Sequence, residues 1–368
     1  MGSCAAFFLL VYHLIIMEKT EPLLSAIQII KNDRSLSPDE IANAFRVIMG
    51  GEATAGLIGA FLGILATRVP TGDELFGASM VMKECVHTIP LPCPENVLDT
   101  CGTGGAPKTF NVSTAAGIVA AACGVRVAKH GNRSRTGRGS AEVLECLGIN
   151  IEATVDQQIK CLEDVGICFC FAPAHHRAVA HVMPVRKDLK FPTIFNLLGP
   201  LTNPCSAGRQ LLGVWDDVFV LPMAESLLAS GTTHSAVVHS QDGLDEISVS
   251  APTRVVYIQN GKLTEDCIHP TDFGLKEWDR KEVVATTLND ATTFVRDGVS
   301  AGSKGAVRDM IVLSASVGLF LSDKAQSVSE GVEMASEAID AGRVEEVLVR
   351  WGEVSHIHTP STEPEETI

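Results

Sequence analysis

The chain has 368 residues, 46% of them hydrophobic and 20% charged, a balance that suits a packed globular protein with room for two domains and excludes a disordered one. Its 44 acids outnumber its 29 lysines and arginines, and the formal net charge of −15 argues against nucleic acid as the main partner, because such binding depends on neutralising phosphates. The 11 cysteines sit singly apart from Cys168 and Cys170, with no Cys-x-x-Cys pair, so the spacing suggests neither a zinc site nor a disulfide framework and reads as reduced thiols in the cytoplasm.

In chain order, Ala5 to Ile16 is almost wholly apolar but shorter than the roughly 20 residues a spanning helix needs, and no basic segment leads it. Residues 1–16 therefore read as an extension outside the fold rather than a signal or an anchor. Ser37-Pro38-Asp39-Glu40 is a capping box with proline at the first helical position, and Ile41, Ala44, Phe45 and Ile48 then share one helix face. Ile58, Phe61, Leu62 and Leu65 repeat that spacing. Thr71-Gly72-Asp73-Glu74 opens a third helix with Leu75, Ala78 and Met82 inward. Residues 17–88 are thus expected to form a small all-helical domain whose apolar stripes need partners, some of them in a second copy; helices around 175–204 are expected to pack with it.

From Asn96 the pattern changes to short β-branched runs alternating with helical stretches: Val97–Thr100, Val125–Ala128, Ile167–Phe171, Gln210–Val214, His234–His239 and Arg254–Gln259. That alternation predicts an α/β domain over 89–350, with a mostly parallel sheet covered by helices on both faces and ligands at the carboxyl ends of its strands. Residues 351–368, rich in proline, threonine and acids from His356 on, read as a flexible tail.

The first of those strand ends carries Asp99-Thr100-Cys101-Gly102-Thr103-Gly104-Gly105, followed by Thr109-Phe110-Asn111-Val112-Ser113-Thr114. The glycines cannot continue a strand, and Ser113 or Thr114 is expected to open the small-residue helix Ala115–Cys123. Main-chain N–H groups of such a turn bind an anion without basic side chains, because glycine lets phosphate approach the backbone and tolerates positive φ. A turn that merely reverses the chain would have the same composition. Neither Gly-x-Gly-x-x-Gly nor a Gly-Lys-Ser/Thr ending is present. Lys129 ends the next short run and is followed by His130, Gly131 and Asn132, so two polar strand ends side by side point to one site for a diphosphate. Cys101 has no evident reactive partner and reads as a small filler residue.

Further on, His175 and His176 are adjacent and so point in different directions, a poor metal pair, although one of them can face a pocket. Arg186 stands near Lys187 and Lys190, and Asp245-Glu246 follows a strand and a short loop; two consecutive carboxylates fit a solvated turn or, beside a diphosphate, a Mg²⁺ site.

Taken together, Met49-Gly50-Gly51-Glu52-Ala53-Thr54, Gly102-Thr103-Gly104-Gly105, Thr109 to Thr114, Lys129-His130-Gly131-Asn132-Arg133-Ser134, Pro184-Val185-Arg186, Asn196-Leu197-Leu198-Gly199-Pro200-Leu201 and Gly243-Leu244-Asp245-Glu246 resemble the ordered motifs of the anthranilate phosphoribosyltransferases. The likeness runs from about Met17 to about Arg350. It implies transfer of a phosphoribosyl group from 5-phosphoribosyl 1-diphosphate to anthranilate in tryptophan synthesis, by a homodimer that needs Mg²⁺ and binds neither membrane nor nucleic acid. It assigns the sugar diphosphate to Gly102, Thr103, Gly104, Gly105, Thr109, Asn111, Ser113, Thr114 and Lys129, the last acting electrostatically, with no side chain as nucleophile or base. It assigns anthranilate to Gly102, His130, Asn132, His176 and Arg186, the arginine taking the carboxylate through two parallel hydrogen bonds, and the metal to Ser113, Asp245 and Glu246. The sequence departs from the family at Ala106-Pro107-Lys108, where an Asp and a Gly are usual, and in the loop Arg133 to Arg138, one residue short. Related pyrimidine nucleoside phosphorylases share the Lys-His-Gly-Asn-Arg-Ser segment, and an inactive relative binding nucleic acid through Arg133, Arg135 and Arg138 is the alternative of another class; Asn-Leu-Leu-Gly-Pro-Leu and Gly-Leu-Asp-Glu favour the transferase.

Overall fold

The computed structural model of the chain describes residues 19–107 and 109–357; the apolar run Ala5–Ile16, Met17, Lys108 and the end of the expected tail lie outside the described residues. In chain order it has α1 (residues 19–31), α2 (Pro38–Met49), α3 (Ala55–Leu65), α4 (Gly72–Glu84), β1 (Val97–Gly102), α5 (Val112–Ala122), β2 (Arg126–Gly131), α6 (Ser140–Cys146), α7 (Val155–Asp164), β3 (Ile167–Phe171), α8 (Ala172–His175), α9 (Met183–Leu189), α10 (Ile194–Leu198), β4 (Arg209–Gly213), α11 (Val220–Ala229), β5 (His234–Ser240), β6 (Thr253–Gln259), β7 (Lys262–Ile268), α12 (Leu288–Gly298), α13 (Ala306–Leu321), α14 (Val328–Asp340) and α15 (Arg343–Ser355). The chain divides into two compact units, one of residues up to His87 together with His176–Thr202, the other of Thr88–His175 and Asn203 onward.

The helical unit forms where the sequence caps it. Ser37 and Thr71 each accept a hydrogen bond from the backbone N–H three residues on, and the Glu40 and Glu74 carboxylates accept one from the cap N–H, so both boxes close. Glu74 does more: burial pushes its carboxyl up, but the Arg68 guanidinium and the Leu36 and Thr71 amides outweigh that and hold it below its ordinary value, pinning α4 to the turn before α2. Gly77 lets α4 lie on α2, since a Cβ there would stand 2.3 Å from the Pro38 carbonyl. Phe45, Phe61 and Phe195 meet in the centre of this unit.

The other unit is built on a seven-stranded sheet of order β3-β2-β1-β4-β5-β6-β7, parallel from β3 to β5 and antiparallel for β6 and β7. The chain leaves β1 through α5 toward β2 and β3, then returns to the other side of β1 as β4 and leaves through α11 toward β5. Right-handed crossovers in opposite directions put α5 and α11 on opposite faces, and the gap between the ends of β1 and β4 is the switch point where α/β sheets bind ligands. The core lies between the sheet and its helices, with α5 and α13 packed on each other.

Three boundaries differ from the sequence reading. Helix α5 begins at Val112, with Asn111 at its cap, so Ser113 and Thr114 lie inside its first turn instead of opening it. Strand β2 runs on through Lys129 and His130 to Gly131, because His130 and Gly131 still pair with Cys170 and Phe171 of β3; Lys129 is therefore inside a strand and not beyond it. Helix α15 continues to Ser355, into the expected tail, because Trp351 and Val354 are buried against the unit.

Candidate active site at the strand ends

The turn after β1 leaves the sheet at Gly102 and takes positive φ at Gly104 and Gly105, +67° and +101°, conformations that only glycine adopts without strain. Its position is set from β4. The Thr103 N–H donates to the Gly213 carbonyl at 2.9 Å, and the Thr103 hydroxyl accepts from the Trp215 N–H at 3.1 Å. The Gly104 N–H is turned the other way and donates to the Asp245 carboxylate at 3.1 Å, so this amide is already aimed at an anionic oxygen. Gly213, which the sequence reading did not single out, makes the approach possible: a Cβ there would stand 1.7 Å from the Asp245 carbonyl oxygen. Its signal in sequence is only a glycine at the end of a strand, and the residue it makes room for lies far along the chain.

Helix α5 starts directly beneath this turn. The Ser113 N–H donates to Glu246 at 3.3 Å, and the Ser113 hydroxyl accepts from the Lys129 ammonium at 3.1 Å. Asp245 and Glu246, on the loop after β5, thus reach the two ends of one connection, one carboxylate on the β1 turn and the other on the first turn of α5. Burial and the neighbouring Asp245 charge push the Glu246 carboxyl up to about 8, and Lys129 and Ser113 offset only part of this. A carboxyl raised this far keeps its proton near neutral pH, so the site offers more acid groups than its own cation can hold ionised.

Lys129 is 2% exposed. Its Nζ donates to the Thr100 carbonyl at 2.5 Å as well as to Ser113, and burial holds its ammonium below the ordinary lysine range against the opposing pull of Asp99, Cys101 and Glu246. Asp99, fully buried, accepts from the His130 N–H at 3.1 Å and from Gln210 at 3.2 Å, and burial raises its carboxyl. The Cys101 thiol is buried, accepts from Gln210 and is pushed well up, which leaves it unreactive. Asp99 and Gln210 were missed in sequence as partners because they are ordinary strand residues until β1 and β4 pair.

The remaining residues of this unit fall around the same ends. Thr109 is buried, its hydroxyl donating to the Phe110 carbonyl, and Asn111 reaches the Arg138 carbonyl at 3.5 Å. Thr114 is fully buried and its hydroxyl has no partner among the described residues. His130 is buried and Asn132 exposed at the end of β2, where the Asn132 carboxamide oxygen accepts from the Arg133 N–H at 2.7 Å. In the loop that follows, Arg133 pairs with Glu145, Arg138 donates to the Ala285 carbonyl, and Glu142 receives the Ser134 and Gly139 amides, so two of its three arginines are engaged within the unit. Lys108 lies outside the described residues.

His176 and Arg186 belong to the helical unit. Arg186, on α9, lies over the Phe195 ring at 5.3 Å, and burial lowers its pKa, with no acidic partner against it among the described residues. His181, one turn earlier, packs its ring on the backbone of Gly51, where a Cβ would come within 3.0 Å. His175 belongs instead with the sheet, buried with its Nε2 3.3 Å from the Gln158 amide.

With this geometry the comparisons agree. Residues 94–344 match the model of a glycosyl transferase family α/β domain and residues 24–86 that of the family's helical bundle domain. The chain is 42% identical over 325 residues to the anthranilate phosphoribosyltransferase of Thioalkalivibrio sulfidiphilus, covering 88% of this chain and 96% of that one, and 44% identical over 322 residues to that of Rubrobacter xylanophilus, covering 87% and 94%. Among solved structures, anthranilate phosphoribosyltransferase from Thermus thermophilus aligns with a TM-score of 0.84 at 34% identity over 90% of this chain and 99% of that one. The enzyme from Saccharomyces cerevisiae in complex with PRPP and Mg aligns with a TM-score of 0.81 at 26% identity over 90% and 97%.

Proposed function

The chain belongs to the anthranilate phosphoribosyltransferases, and from that membership we propose a role for each group at its strand ends. It transfers the 5-phosphoribosyl group of 5-phosphoribosyl 1-diphosphate to the amine of anthranilate, giving N-(5-phosphoribosyl)anthranilate and diphosphate in tryptophan biosynthesis.

The observation that carries the assignment of roles is the meeting of the Gly104 amide, the Ser113 hydroxyl, Lys129, Asp245 and Glu246 at the β1/β4 switch point. Two carboxyl groups, one of which keeps its proton until a cation displaces it, and a hydroxyl oxygen are a donor set suited to Mg²⁺, which prefers a few carboxylates and phosphate oxygens. When bound there by Ser113, Asp245 and Glu246, Mg²⁺ would neutralise charge on the diphosphate. The rest of the work falls to the chain. As the bond from the sugar C1 to diphosphate breaks, positive charge grows on the ring and negative charge on the leaving group. The amides of Gly102, Gly104 and Gly105 and the side chains of Thr109, Asn111, Ser113 and Thr114 bind the phosphoribosyl diphosphate and stabilise that charge more in the transition state than before it, while the Thr103 amide stays on the Gly213 carbonyl and holds the turn. Lys129 acts through its field and by holding the Ser113 hydroxyl in place.

Anthranilate needs only to be oriented, since its aromatic amine is neutral at pH 7 and no strong base is required. Arg186 takes its carboxylate, for which a desolvated guanidinium without an acidic partner is well prepared; His176 in the helical unit and Gly102, His130 and Asn132 in the sheet unit are the other residues assigned to anthranilate. A homodimer working in the cytoplasm is part of the same reading, and sedimentation of the purified protein tests its subunit count. The roles are tested by following loss of anthranilate fluorescence with 5-phosphoribosyl 1-diphosphate and Mg²⁺ in the wild type, Lys129→Ala, Arg186→Ala and the surface control Lys262→Ala. Loss of rate in the first two and not in the control supports the assignment; equal rates in all three variants refute it.

A further inference from the structure

We propose that Cys168, Cys170 and Cys205 form a three-thiolate site for a soft d¹⁰ ion of the Cu(I) and Cd(II) class, built into β3 and the segment before β4 from residues given no role in the reaction. Cys168 and Cys170 are two apart on β3 and so project from the same face of the strand. Cys205 comes to them from the segment before β4. The Sγ atoms of Cys168 and Cys170 are 3.9 Å apart, those of Cys170 and Cys205 3.8 Å, and all three lie within 4.8 Å of one another.

The two shorter separations are those a metal requires. With metal–sulfur bonds of about 2.3 Å, sulfurs stand about 3.8 Å apart around a tetrahedral ion and about 4.0 Å apart around a trigonal one. They are also far too long for a sulfur–sulfur bond, so the cluster is a triad of free thiols. All three residues are 2% exposed or less, which removes water as a competitor. Three buried sulfurs, joined by no histidine or carboxylate among the described residues, select a soft ion and disfavour Mg²⁺ or Ca²⁺. On binding, each thiol gives its proton to solvent as its sulfur–metal bond forms, so no oxidant or reductant is needed.

The third sulfur is held in place before any ion arrives. The Cys205 N–H donates to the Asn203 side-chain oxygen at 2.8 Å, and the Asn203 amide donates in turn to the Ala128 carbonyl of β2 at 2.8 Å. A bound ion would therefore tie β3 to a segment already fastened to the strand that carries Lys129. The bland alternative is that these are three small core residues, which cysteine often is.

Reduced protein titrated with Cd²⁺, and anaerobically with Cu⁺, distinguishes them. The site predicts a sulfur-to-metal charge-transfer band that saturates at one equivalent, a rise in melting temperature, and X-ray absorption showing three sulfur neighbours. Cys205→Ser and Cys170→Ser should each weaken binding by about 100-fold or more, since even loss of an outer-shell partner costs 10–100-fold, while Cys267→Ser, at an exposed cysteine, should leave it unchanged. Binding undiminished in the triad variants, no band at one equivalent, or fewer than three sulfur neighbours in the wild-type spectrum overturns the proposal; the last measurement stands even if a variant fails to fold.

Discussion

Two cations of this chain are housed in opposite ways. Lys129 is enclosed in the sheet unit by a carbonyl, a hydroxyl and the fields of Asp99 and Glu246, every one of its interactions internal. Arg186 lies in the helical unit over an aromatic ring, half-buried, with no acid against it among the described residues. The first charge is committed to the architecture, and in the proposed mechanism it acts by shaping what surrounds it. The second is desolvated and uncommitted, the condition of a group that awaits a ligand. In one, loss should therefore damage fold and turnover together; in the other, it should damage recognition alone.

Lys129→Ala should break the comparison most visibly. It removes the donor that fixes Ser113 and leaves Asp99 and Glu246 without their cation, so a fall in kcat of about 10²–10³-fold and a loss of stability of about 3–5 kcal/mol are expected. Steady-state kinetics and denaturant unfolding read the two effects; a variant as stable as the wild type would show that Lys129 is not committed to the architecture. Arg186→Ala comes next: the KM for anthranilate should rise by about 10- to 100-fold, the worth of a charge-assisted hydrogen bond of about 1.5–3 kcal/mol, with the KM for the sugar diphosphate and the melting temperature little changed. Arg186→Lys, which keeps the charge and loses the planar fork, should raise the same KM by less. A rise in the KM for the sugar diphosphate instead would move Arg186 to the other substrate.

A smaller effect concerns pH. The Glu246 carboxyl rises from 4.5 to about 8 on folding, so between those values the folded protein keeps a proton that the unfolded chain has lost. Stability from this group is therefore greatest below about pH 4.5, falls as pH rises toward 8 and is level beyond. Melting temperatures between pH 6 and 8 should drop in the wild type and drop less in Glu246→Gln. Because a metal ion competes with that proton, Mg²⁺ should raise the melting temperature more at pH 8 than at pH 6; an equal rise at both would remove Glu246 from the metal site.

Much of the fold was legible in the sequence because local signals and tertiary packing agree. The boxes at Ser37 and Thr71 form as their residue types require, and five strands fall within two residues of their expected bounds. Strand β7, Lys262–Ile268, was not foreseen: its Lys-Leu-Thr-Glu-Asp-Cys-Ile run is mostly exposed at the sheet edge and carries no apolar alternation to mark it. Of the candidate site, the motifs nominated residues but not their dependence on one another. Gly213 makes room for Asp245, Asp99 supports β2, and three cysteines converge from β3 and the segment before β4, each a relation across strands that are distant in the chain. Periodicity and spacing describe one segment at a time, and these relations exist only after the sheet is assembled.

The central claim is that the ends of β1 and α5, with the loop after β5, bind the sugar diphosphate together with Mg²⁺. Calorimetric titration of 5-phosphoribosyl 1-diphosphate into the protein, with Mg²⁺ and with a chelator, tests it most directly. The account predicts that removing Mg²⁺ weakens binding by about tenfold or more in the wild type, a neutralised phosphate contact being worth at least about 1.4 kcal/mol, and that Glu246→Gln loses most of this dependence. Equal affinity with and without the metal, or a dependence untouched in Glu246→Gln, would contradict it.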